Sequence, residues 1–141
     1  MLKGIFPHGR FSPPATEDAI SAAESVLGVR LPDQLRSLYL ECDGFREDRG
    51  NAKYLLSLTQ DDFIGSMMTI TKYLWNEVKT PNLASFIFFG SSSGDDFWGI
   101  NSQKPTEIIA YHHNMGDHYE IVGSKILDVW LADYALYDEV V

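Results

Sequence analysis

Phe86-Ile-Phe-Phe-Gly-Ser-Ser-Ser-Gly-Asp-Asp-Phe-Trp-Gly-Ile100 decides how this chain folds. Phe86 to Phe89 is an apolar run of the length of a buried strand. Gly90 to Gly94 carries two glycines and three serines, residue types that enter turns at little steric cost. Phe97-Trp98-Gly99-Ile100 then resumes an apolar strand, with Asp95 and Asp96 where the chain re-enters the sheet. The stretch therefore predicts an antiparallel hairpin, with Trp98 in the core because it lies inside a strand.

Toward the C-terminus the pattern continues as a meander. Asn101 to Pro105 reads as a turn and Glu107 to Tyr111 as a third strand. His112 to His118 reads as a turn around Gly116, and Tyr119 to Val122 as a short extension of the sheet. Ser124 is placed to cap a last helix whose apolar face is Ile126, Leu127, Trp130, Leu131 and Tyr134.

Toward the N-terminus the chain turns helical. Thr59 is placed to cap a helix with Asp61 and Asp62 in its first turn and Phe63, Met67, Ile70 and Leu74 at helical spacing. Tyr54 to Leu58 precedes it as a strand, and residues 46–53 as a polar loop. Leu31-Pro32 opens an earlier helix, with Leu35, Leu38, Tyr39 and Cys42 on one stripe and Gly44 as its stop. Before that, Thr16 caps a helix with Ile20, Ala23 and Leu27 on one face and Gly28 past its end. Residues 1–15 read as an irregular arm packed on the domain through Ile5, Phe6 and Phe11. The expectation is an α+β fold in one domain over residues 1–141, an antiparallel meander flanked by helices.

At 141 residues, 45% of them apolar, the chain has the material for a core without metal or disulfide staples. A lone cysteine, Cys42, permits no intramolecular disulfide and reads as a small buried hydrophobe. Twenty acidic side chains against eleven basic ones give a net charge of −9. That balance argues against direct nucleic-acid binding and against an anionic membrane surface, and it permits a basic protein partner. With no apolar window of signal-peptide or membrane-spanning length, a cytoplasmic protein is expected.

Catalytic signals are poor. His112, His113, Asp117 and His118 have metal-ligating side chains, but neighbours along a strand point apart, and a solvated turn explains them. Gly90-Ser-Ser-Ser-Gly94 matches the spacing of a nucleophile elbow without the helix that must follow one. It also lacks the lysine of a phosphate loop, and two aspartates follow it. A small hydrolase or metalloenzyme is the weakest reading, and neither a catalytic residue, a metal nor a cofactor is assigned.

Three stretches carry a resemblance. Val29-Arg-Leu-Pro-Asp-Gln-Leu-Arg-Ser-Leu-Tyr-Leu, ending near Gly44, is similar to the Leu-Pro-led amphipathic helix of the SUKH superfamily, the SMI/KNR-type domain. Phe89 to Ile100 resembles that family's glycine-rich hairpin, with acidic residues followed by aromatics, though it is poorer in glycine. Ser124 to Tyr137 resembles its closing helix. The resemblance spans about residues 16–137 and implies a non-enzymatic binding domain. Bacterial members are thought to be immunity proteins that neutralise a cognate toxin, often a nuclease, and eukaryotic relatives are regulatory interaction proteins. The expected partner is thus a basic toxin domain, with a general regulatory or scaffold module as the alternative. Glu41, Asp43, Glu47, Asp48, Asp95 and Asp96 are the candidate partner interface, since an acidic surface suits the basic groove of a nuclease.

Overall fold

The computed structural model describes residues 2–47, 52–60, 65–92, 96–113 and 115–140, the last four by backbone alone. The chain is α+β. The hairpin is β3 (Phe86–Ser91) and β4 (Asp96–Asn101), continued by β5 (Ile108–His112) and β6 (His118–Gly123) in one antiparallel sheet of order β3-β4-β5-β6. Strand pairing sets Trp98 against Ala110 and Asp96 against His112, so these side chains share one face. A bulge between Phe88 and Gly90 bends β3. Gly90 is required there, because a Cβ would strike the Tyr54 carbonyl oxygen and the Trp98 ring.

The helices before the sheet are α2 (Glu17–Leu27), α3 (Asp33–Glu41) and α4 (Met67–Glu77). Thr16 caps α2 by accepting from the Ala19 N–H at 3.0 Å, and Gly28 ends it at φ 72°. Glu24 accepts from the Leu31 N–H at 2.8 Å, and Arg36 reaches both Glu17 and Glu24, which fixes α3 against α2. The outer edge of β3 is closed by side chains of α4. Thr71 accepts from the Phe88 N–H at 3.0 Å and donates to its carbonyl at 3.3 Å, and the Trp75 indole donates to the Phe86 carbonyl at 2.7 Å.

Four local expectations need correction. α4 is capped by Ser66, which accepts from the Thr69 N–H, not by Thr59. The Thr59 hydroxyl is instead held by the buried Asp43 carboxylate, and Ser57 bonds through its backbone to Gly65 and Met67. Asp61, Asp62 and Phe63 lie outside the described residues. The Tyr54–Leu58 stretch makes single bridges rather than a strand. Leu55 exchanges hydrogen bonds with Phe45, Lys53 with Ser91, and the Leu56 N–H donates to Phe89, so the segment stitches two sheets together. The arm is not irregular throughout. It holds a short helix α1 (Leu2–Ile5), whose Leu2 N–H donates to Glu41, and a strand β1 (Arg10–Phe11) paired with β2 (Phe45–Arg46). Finally, in the last helix α5 (Ile126–Val140), Ile126, Val129 and Trp130 are buried while Leu131 is exposed.

The core condenses around Tyr54. Its ring stacks on Trp130 at 5.7 Å and meets Phe6, Phe45 and Trp98 edge-on at 5.2–5.8 Å. Such pairs add about 0.5–1.5 kcal/mol each beyond area burial. Cys42 is buried, as its place on the α3 stripe predicts.

Candidate functional site

Where α5 crosses the sheet it leaves a groove of about 330 Å³. Its floor is apolar: Trp98 and Ala110 from the central strands, Val122 from β6, and Val129 and Leu136 from α5. Around that floor stand the carboxylates of Asp96, Glu120 and Asp133, from β4, β6 and α5. The strand pairing explains the arrangement, since Glu120 faces Ala110, which faces Trp98.

His112 sits between two of these acids. Its Nδ1 lies 3.2 Å from Asp96 Oδ2 and its Nε2 3.8 Å from Glu120 Oε1, with the His118 ring 4.9 Å away. Asp133 accepts from the Tyr54 hydroxyl at 2.8 Å, which couples the groove to the aromatic core. Burial raises the Asp133 carboxyl above the ordinary carboxylate range, and the Tyr54 hydrogen bond partly offsets this. Acids over an apolar floor suit the aliphatic stem and cationic head of an arginine or lysine. Tyr119 and Ile121 alternate with Glu120 and Val122 along β6 and so present exposed apolar surface on the opposite face of the sheet, and Leu131 of α5 is also exposed.

The six carboxylates expected from the sequence do not form one patch. Asp96 lines the groove. Glu41 is exposed at the end of α3 and holds the start of α1. Asp43 is 8% exposed and accepts from the Ser57 hydroxyl, the Leu58 N–H and the Thr59 hydroxyl. Glu47 is buried, at 2% exposure. Asp48 and Asp95 lie outside the described residues. Glu120 and Asp133 were not singled out in the sequence. The signal for Glu120 was its place on an alternating strand next to the histidine turn.

The other candidates separate as strand geometry requires. His113 turns away from His112 to Asp117 and the Tyr111 hydroxyl, at 3.1 and 2.9 Å. Among the described residues, no three His, Cys, Asp or Glu side chains are placed to hold a metal ion. After the Gly-Ser-rich turn the chain enters β4, not a helix. Burial pushes the Cys42 thiol up to about 11.

Fold and groove together define an α+β domain that presents an acid-rimmed apolar surface. The chain belongs to the SMI1 / KNR4 family (SUKH-1), whose family model matches residues 14–132. No curated protein matches the sequence. Among the described residues, no helix is long and apolar enough to cross a membrane.

Proposed function

We propose that this protein is an immunity protein that binds one cognate toxin domain and blocks it. The observation that carries this reading is the convergence of Asp96, Glu120 and Asp133 on the apolar floor around Trp98, in a member of the SMI1/KNR4 family. Toxins that cut nucleic acid need a basic substrate groove, and an acidic protein of net charge −9 is steered into such a groove. In this reading a lysine or arginine of the toxin enters the groove, its stem on Trp98 and Val122 and its charge among the carboxylates. Inhibition is stoichiometric and needs no catalytic group in this chain.

The test is co-expression with the toxic domain encoded beside this gene, scored as cell survival and co-purification. Survival with a one-to-one complex supports the reading. Death without a complex contradicts it for that toxin and favours an interaction module that serves a housekeeping partner.

A further inference from the structure

Away from the groove, the small β1–β2 sheet places two arginines directly opposite each other. Arg10 and Arg46 are cross-strand partners, so both guanidinium groups leave the same face. Like charges in that position destabilise a strand pair. Among the described residues neither has a carboxylate partner, and the Nε of Arg46 is buried without a hydrogen-bond acceptor. A buried donor left unsatisfied costs free energy, and in a folded protein it usually marks a missing acceptor. Both arginines line a cleft of about 280 Å³, whose wall also carries Lys53 and the hydroxyl-bearing Ser12. Asp43 lines it too, but its carboxylate is committed to Ser57, Leu58 and Thr59.

We propose that this cleft is a binding site for a small phosphate-bearing anion, either inorganic phosphate or the phosphate group of a small monoester. Two facing guanidinium charges match a phosphate dianion, and a planar guanidinium fork pairs with phosphate oxygens through parallel N–H donors. The anion relieves the Arg10–Arg46 repulsion. A cleft of this size suits one such group rather than a polymer. The site is independent of the toxin-binding reading, because the cleft and the groove share no lining residue.

The test is calorimetric titration and thermal unfolding of the full chain with sodium phosphate and with glycerol phosphate, against sodium chloride at matched ionic strength. The expected result is saturable one-to-one binding, with the melting temperature raised by roughly 3–6 °C at ten times the Kd. Arg46→Gln and Arg10→Gln each weaken binding by about tenfold or more. Arg30→Gln, at an exposed arginine paired with Asp33, leaves it unchanged. Arg10→Gln, at an exposed position, also unfolds no earlier than the wild type without phosphate, since a repulsion has been removed. Tighter binding of inorganic phosphate assigns the cleft to the free anion, and tighter binding of glycerol phosphate assigns it to a monoester. A response equal to that in chloride, or an Arg10→Gln variant that binds phosphate like the wild type, overturns the proposal.

Discussion

Gln34 of α3 caps the last helix from ninety-two residues away: its Oε1 accepts from the Ile126 N–H at 2.9 Å. The same amide donates to the carbonyls of Pro105 and Ser124, at 2.9 and 3.2 Å. One half-buried side chain therefore ties α3 to the β4–β5 turn and to the start of α5, which forms a wall of the groove. Gln34→Ala is expected to lower stability by about 1–2 kcal/mol, the scale of a lost cap with its hydrogen bonds. Urea unfolding measures it. Ser124→Ala should cost far less, since the Ser124 contact with Gln34 is made by its backbone.

Thr71 satisfies both backbone groups of Phe88 with one hydroxyl and is fully buried. Thr71→Val keeps the shape and removes both partners, so a loss of about 2–4 kcal/mol is expected. Thr71→Ser keeps the hydroxyl and should retain more than half of that. The two urea midpoints, compared with wild type, decide it, and equal loss in both variants would assign the effect to packing.

Cys42 gives a pH dependence with a defined sign. Burial, aided by the Glu41 and Asp43 charges and opposed by a Gly44 backbone hydrogen bond, raises its thiol from 9.0 to about 11 in the folded chain. The unfolded chain loses this proton first, so the native state binds more protons between those values. The contribution is intact below pH 9 and is lost as pH rises toward 11, amounting to about 2–3 kcal/mol. Unfolding midpoints at pH 8 and pH 10.5 should therefore diverge more for wild type than for Cys42→Ala. Thiol reagents at pH 7.5 should label Cys42 only after unfolding.

The hairpin, the meander that continues it and the α2 caps were legible because short-range chemistry sets them. Thr16 and Gly28 act on their own helix, and the Phe86 and Trp98 runs pair through a short turn. Thr59 misled because a distant side chain, Asp43, decides its role, and the capping of α5 by Gln34 at the Ile126 N–H has no signal in the neighbouring residues. Burial of Asp43 was hidden for the same reason: an acidic letter in a polar stretch does not announce a hydroxyl partner fourteen residues on. Of the groove, Asp96 was legible beside its hairpin. Glu120 and Asp133 join it only through strand register and the crossing of α5.

The groove itself is best probed with isosteric amides, because the side-chain carbonyl introduced by Asp133→Asn still accepts from the Tyr54 hydroxyl and the fold is kept. The most direct measurement is the affinity of the toxin encoded beside this gene for the wild type and for the triple variant Asp96→Asn, Glu120→Gln, Asp133→Asn, over a range of salt. Binding by the groove predicts an affinity at least about tenfold weaker in the variant and an association rate that depends less on salt. Unchanged affinity and unchanged salt dependence in a folded variant would contradict the acidic groove as the toxin-binding surface.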